Sequence, residues 1–158
     1  MKKLCILFLS VFLPLGCLAQ TKSLPNPEAY FSALIISDLD KSIDWYSNML
    51  GFEVLNKRKF DSAGFKQANM QRGDILIELI ELKSSVSPEK IIPNYTAKTR
   101  VQGFFKFGLL VSNFDDWIRE LTKLKVNFHG RVVKSEETQK RMVIIKDPDG
   151  NRIQLFEK

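Results

Sequence analysis

Cysteine and histidine are almost missing from this chain. Its 158 residues include two cysteines, Cys5 and Cys17, and one histidine, His129. Both cysteines precede Leu18, so the rest of the chain folds without a disulfide and carries no thiol nucleophile. One histidine cannot furnish an imidazole-rich metal site. His129 itself reads as a surface or edge residue. There is no Gly-rich phosphate loop, no Cys-x-x-Cys, no nucleophile elbow and no His-Glu-x-x-His. The formal charge of +6 is dispersed, which permits an anionic ligand but does not argue for nucleic acid. A long apolar run is lacking too. Leu4 to Leu15 is broken by Ser10 and Pro14 and is too short for a span, which needs about 20 residues.

What that run does resemble is an export signal. Lys2 and Lys3 make a basic start, and Cys17-Leu18-Ala19 supplies small residues for a signal peptidase. The expected organisation is a signal peptide over 1–19, a linker over 20–28 and one domain over 29–158, in a periplasmic or secreted protein. Loss of Lys2 and Lys3 lowers the formal charge from +6 to +4. Leu15-Gly16-Cys17 is a partial lipobox, so a lipid anchor through Cys17 is the alternative. The hydrophobic content of 44% and charged content of 27% suit one folded domain.

The domain repeats itself weakly. Phe31-Ser32-Ala33-Leu34-Ile35-Ile36-Ser37-Asp38 matches Lys106-Phe107-Gly108-Leu109-Leu110-Val111-Ser112-Asn113. Ile77-Glu78-Leu79-Ile80-Glu81 matches Ile153-Gln154-Leu155-Phe156-Glu157. Two copies of one supersecondary unit explain this. In the first copy the pattern predicts a strand over 30–36. A helix follows, capped by Asp38, with Leu39, Ile43, Tyr46 and Leu50 on one stripe and Gly51 as terminator. Strands over 52–60, 64–72 and 75–82 complete the unit. The second copy predicts a strand over 105–111 and a helix capped by Asn113 and bearing Phe114, Ile118 and Leu121. Its further strands fall over 127–133, 139–146 and 152–157. Asp147-Pro148-Asp149-Gly150 is the turn between the last two. Each module is therefore βαβββ: module one 29–82, module two 105–158. The linker 83–104 is either a flap over a cleft or a passive connector.

Two stretches resemble a known family. Asp38-Leu39-Asp40-Lys41-Ser42-Ile43-Asp44-Trp45-Tyr46 with Leu50-Gly51-Phe52, and Asp147-Pro148-Asp149-Gly150-Asn151-Arg152-Ile153-Gln154-Leu155, are similar to the first helix and last hairpin of the vicinal-oxygen-chelate superfamily. That superfamily includes glyoxalases, bleomycin-resistance proteins and dioxygenases. The resemblance implies an α+β fold of two paired βαβββ modules, forming a curled mixed sheet around a cleft. It also implies, in metal-using members, four cleft-facing ligands on a divalent ion that polarises substrate oxygens.

The positions matching those ligands are Phe31, Glu78, Lys106 and Gln154. Only Glu78 is a usual ligand; Phe31 offers no donor and an ammonium at Lys106 repels a cation. The expectation is no metal, with a metal-free Glu78–Lys106–Gln154 cluster on the cleft floor or an ion pair that merely closes it. Strand alternation places Leu110, Arg152 and Phe156 on the cleft side as well, with Phe31, Ile80 and either Trp45 or Phe104 as apolar walls. The expected function is metal-independent binding of a small molecule. The alternatives are a divalent-metal glyoxalase-like lyase, isomerase or dioxygenase, a metal-free enzyme, and an interaction module with a filled cleft. No catalytic residue is assigned. Members of this superfamily commonly pair, so a homodimer is possible.

Overall fold

The computed structural model describes residues 29–158 apart from 97, 100, 102 and 137. The readings of export, cleavage and lipidation fall on 1–28 and lie outside the described residues. Among the described residues, no helix is long and apolar enough to cross a membrane.

Alternation of apolar side chains builds the first sheet. β1 (Phe31–Ile36) buries Leu34 and Ile36, β3 (Phe65–Arg72) buries Ala68 and Met70, and β4 (Ile75–Leu82) buries Ile77 and Leu79. Residues two apart share a face, so these six turn together to one side. β1 runs parallel to β4, and β3 is antiparallel to β4 and to β2 (Glu53–Phe60), giving the order β1-β4-β3-β2. A register shift in β2 between Val54 and Asn56 leaves Leu55 as an unpaired bulge residue.

Helix α1 (Leu39–Leu50) covers the buried side of this sheet with Leu39, Tyr46 and Leu50. Its start is held twice. Asp38 Oδ1 accepts the Lys41 N–H at 3.0 Å, and Glu81 Oε2 reaches from the end of β4 to accept the Leu39 N–H at 2.9 Å. A free N–H at a helix start favours such a carboxylate. Gly51, at φ 65°, stops the helix and donates its N–H to Ser47 O at 3.0 Å.

The connector holds one short helix, α2 (Pro88–Ile91). Module two then repeats the plan: β5 (Phe107–Val111), α3 (Phe114–Lys123), β6 (Asn127–Phe128), β7 (Val133–Lys134), β8 (Arg141–Lys146) and β9 (Arg152–Glu157). The order is β5-β9-β8-β6, with β7 also on β8. The register Gly108↔Gln154 repeats Ala33↔Glu78, and Leu109↔Leu155 repeats Leu34↔Leu79. The fold is α+β with two βαβββ modules, as the repeat implied.

Two details differ from expectation. The strand expected over 127–133 is two short pieces, broken where Gly130 takes φ 88°. Exposed 130–132 contributes no buried apolar residue to hold the ladder there. Asn113 precedes α3 but sits in the left-handed region at φ 55° and makes no side-chain cap bond. That region suits asparagine, so the residue turns the chain rather than capping it.

The helix-facing sides of both sheets form one apolar core. Leu34, Ile36, Ile77 and Leu79 join Leu109, Val111, Val143, Ile145, Ile153 and Leu155, with Tyr46, Phe114 and Leu121 from the helices. The two sheets are not closed on each other: their strands belong to separate ladders. Polar contacts tie α1 to the last hairpin instead. The Tyr46 hydroxyl donates to Asp147 Oδ2 at 3.1 Å, and the Ser37 N–H donates to Asp149 Oδ1 at 3.1 Å. Arg72 lies 4.7 Å above the Trp117 ring.

Candidate functional site

The opposite sides of the sheets are the inner faces. In sheet one, register puts Phe31, Ala33 and Ile35 beside Leu76, Glu78 and Ile80, with Asn69 and Gln67 next on β3 and Asn56 and Arg58 on β2. In sheet two, Gly108 and Leu110 stand beside Gln154 and Phe156, with Met142, Ile144 and Lys146 on β8 and Arg152 on β9. Phe31, Ile35 and Leu110 are 54%, 55% and 69% exposed. Their neighbours in sequence, Leu34, Ile36, Leu109 and Val111, are buried. The two faces of each sheet are therefore chemically distinct.

Glu78 and Gln154 occupy equivalent places, and each is tied to its own sheet. Glu78 Oε1 accepts from Gln67 Nε2 on β3. Gln154, 4% exposed, donates from Nε2 to Met142 Sδ at 2.7 Å on β8, and its Oε1 accepts from Lys106 Nζ. Gln67 and Met142 are themselves equivalent, since Gln67 pairs with Ile80 and Met142 with Phe156. One diagonal contact is thus built twice with different chemistry.

Of the expected cluster, the structure brings Lys106 and Gln154 together and leaves Glu78 apart. Among the described residues, no ion pair joins Lys106 to Glu78. Each is engaged within its own module instead: Glu78 accepts from Gln67, and Lys106 donates to Gln154. Lys106 lies just before β5 and also rests 5.7 Å from the Phe105 ring centroid. Trp45 is not a wall of the inner faces. It lies on α1, packed against the core and edge-on to Tyr46 at 4.9 Å. Phe156 folds across Gly108, where an added Cβ would lie 3.2 Å from its ring. Glycine at 108 is what leaves room for that ring.

A cavity of about 250 Å³ opens on the inner face of module one. Tyr30, Phe31, Leu55 and Leu76 give it apolar walls, and Asn56, Asn69 and Glu78 give it polar atoms. Asn69 Nδ2 donates to Asn56 Oδ1 at 3.1 Å, which orients both amides across its floor. Apolar walls with a few fixed polar groups are the usual make-up of a small-molecule site. The amides and the bulge at Leu55 are what sequence reasoning missed. Their signal was the run of alternate polar residues Gln67, Asn69 and Gln71 on a strand whose other side is buried.

Shifted ionisation lies away from this cavity. Burial raises the Asp147 carboxyl above its usual range, against the bonds it accepts from Asn151, Tyr46 and Asp149. Burial, then the Asp147 charge, pushes the Tyr46 hydroxyl far up. Glu157 is held down to about 2 by the Arg141 guanidinium. These groups join the modules and brace sheet two, and none faces the cavity.

Comparison with known proteins places the fold. The family model described as the Glyoxalase/Bleomycin resistance protein/Dioxygenase superfamily matches residues 30–155. The chain belongs to that superfamily.

Solved members of this glyoxalase superfamily superpose along most of the domain. SMU.1112c is 28% identical, with a TM-score of 0.69, covering 83% of this chain and 98% of that one. A glyoxalase family protein from Enterococcus faecalis is 19% identical, with a TM-score of 0.71 over 82% and 97% of the two chains. The trypanothione-dependent glyoxalase I of Leishmania major is 20% identical, with a TM-score of 0.62 over 83% and 87%. No curated protein sequence matches the chain. Phe31 presents a ring, Lys106 an ammonium already donating to Gln154, and Glu78 a carboxylate already bonded to Gln67. Among the described residues no three His, Cys, Asp or Glu side chains gather where they could share an ion. These four positions do not fit a divalent metal, which needs several carboxylates or imidazoles.

Proposed function

We propose that this is an exported protein of the glyoxalase superfamily that binds a small molecule on its inner faces without a metal. The observation that carries the reading is the state of the four ligand positions. Phe31 brings apolar surface, and Lys106 brings a positive charge in the chain itself. Gln154 has both ends of its amide engaged. The cavity beside Glu78 supplies the space. Export is supported by the basic, then apolar, then small-residue order of Lys2 to Ala19.

A second copy of the chain is proposed to complete the cleft. β1 and β5 each carry a partner on one edge only, and Phe31, Ile35 and Leu110 stand exposed on or beside those edges. An open edge flanked by exposed apolar residues favours a further strand. Sedimentation should show a dimer, and Ile35→Glu with Leu110→Glu should give a monomer.

The competing reading is a divalent-metal lyase or dioxygenase, and Glu78 is the one side chain that favours it. A thermal-shift screen of small molecules, run in chelator and again with zinc, nickel or manganese, decides between them. Binders that shift the melting temperature equally in both conditions support the proposal. Binders that need the metal reject it.

A further inference from the structure

The inner face of sheet two carries an unbalanced positive charge. At its inner positions stand Gly108, Leu110, Met142, Ile144, Lys146, Arg152, Gln154 and Phe156, with no carboxylate among them. Lys106 adds a third cation through its bond to Gln154. Among the described residues, none of Lys106, Lys146 and Arg152 takes part in an ion pair. The contrast is with Arg141, on the other side of the same sheet, which is held by Asp115 at 2.6 Å and Glu157 at 2.7 Å.

Arg152 is the focus. Its Nε is buried and, among the described residues, has no hydrogen-bond partner. A buried donor left without an acceptor is uncommon and calls for a reason. The guanidinium lies 4.5 Å from the Phe105 ring centroid, which supports its charge without satisfying its donors. Around it a cavity of about 180 Å³ is walled by Tyr95, Val101, Phe104 and Phe105 of the connector, and by Asn151 beside Arg152 on the last hairpin. The connector therefore roofs a cationic floor with rings. Phe104 is 70% exposed, so part of this roof is apolar surface left uncovered.

We propose that this pocket is a site for an organic carboxylate with a flat apolar body. The carboxylate meets the two terminal nitrogens of the Arg152 guanidinium, which match two oxygens in one plane. The apolar body lies against the rings of the connector. Lys106 and Lys146 add attraction along the same face. This goes beyond the cavity beside Glu78 while resting on the metal-free reading above: it adds a second pocket, on module two, and gives the connector a role as its roof.

Calorimetric titration of the full chain in chelator tests this with benzoate, benzyl alcohol and inorganic phosphate. Benzoate is expected to bind, with benzyl alcohol and phosphate each at least tenfold weaker. Arg152→Met is expected to weaken benzoate tenfold or more, Arg152→Lys less, and Phe105→Ala several-fold, with circular dichroism confirming each fold. Should Arg152→Met fail to fold, Arg152→Lys and Phe105→Ala carry the test. Benzyl alcohol binding as well as benzoate overturns the carboxylate claim and leaves metal-free binding standing. Phosphate matching benzoate shows bare charge attraction and overturns it too, as does full affinity in Arg152→Met. No benzoate binding overturns it outright. Benzoate binding that appears only after a divalent metal is added overturns the underlying reading as well.

Discussion

Module one and module two share a buried side and differ on the open one. Leu34, Leu79, Leu109 and Leu155 fill matching places in the core. On the inner faces the matching pairs are Glu78 with Gln67 and Gln154 with Met142. The first face carries a carboxylate, Glu78, among amides with Arg58 at β2; the second carries Lys146 and Arg152, the Gln154 amide and a thioether, and no carboxylate. The helix-facing positions must fill a close-packed core, so their chemistry is fixed in both copies. The inner positions are mostly half-buried or exposed, and their chemistry differs between the copies. That division lets one scaffold keep its shape while its open faces vary.

The comparison is broken most sharply at the core. Leu79→Ala and Leu155→Ala should each cost about 3 kcal/mol in urea denaturation, since each removes a fully buried leucine and leaves a cavity. A value below about 1 kcal/mol for either would show that the modules do not share the core equally.

The next largest effect concerns the contact that joins them. Asp147→Ala should cost about 2 kcal/mol, because it leaves the buried Tyr46 hydroxyl and the Asn151 amide without their acceptor. Tyr46→Phe should cost about 1 kcal/mol, because Asp147 keeps its bonds from Asn151 and Asp149. An equal loss in both would mean that the hairpin's own turn contributes nothing.

Titration separates the groups by sign. Glu157, in module two, is held at about 2 against a usual 4.5 by Arg141, and Glu81, in module one, is lowered by Lys66 and the Leu39 N–H. A lowered carboxyl stabilises the fold above its unfolded value and loses that contribution as the pH falls through the folded one. Asp147 is raised by burial, so its ionisation opposes folding as pH climbs above 3.8. Between pH 5 and about 2, stability should fall. Glu157→Gln and Glu81→Gln should each flatten that limb, and Asp147→Asn should not. Thermal unfolding across this range reads all three.

The smallest expected effect lies on the open faces. Ile35→Ser and Leu110→Ser should each change the stability of the separated chain by less than about 0.5 kcal/mol, because both side chains are already exposed. In concentrated protein a larger loss would mean that these faces are covered in solution, as the proposed pairing requires, and dilution below the dimer's dissociation would then remove it.

The fold was readable because its signals were redundant. Period-two runs such as Ile75 to Leu82, the Asp38 cap, Gly51 and the Asp147–Gly150 turn each pointed to the same βαβββ unit. Where only one weak signal existed, the reading slipped. Asn113 has the side chain of a cap but not the backbone angle, and 127–133 has strand-like residues with a glycine in the middle. In the site, alternation placed Glu78, Arg152 and Gln154 on inner faces, because two-residue periodicity is local. It could not show that Glu78 and Lys106 remain apart, since that depends on how two sheets meet across the chain. Nor could it show the connector folding its rings over Arg152, which no repeat encodes.

Metal-free binding requires that the four ligand positions hold no ion. Elemental analysis of the purified chain, by plasma mass spectrometry after gel filtration without chelator, measures this directly. Well below one zinc, nickel, manganese or iron per chain is expected, unchanged in Glu78→Gln. A stoichiometric divalent ion that disappears in Glu78→Gln would contradict it.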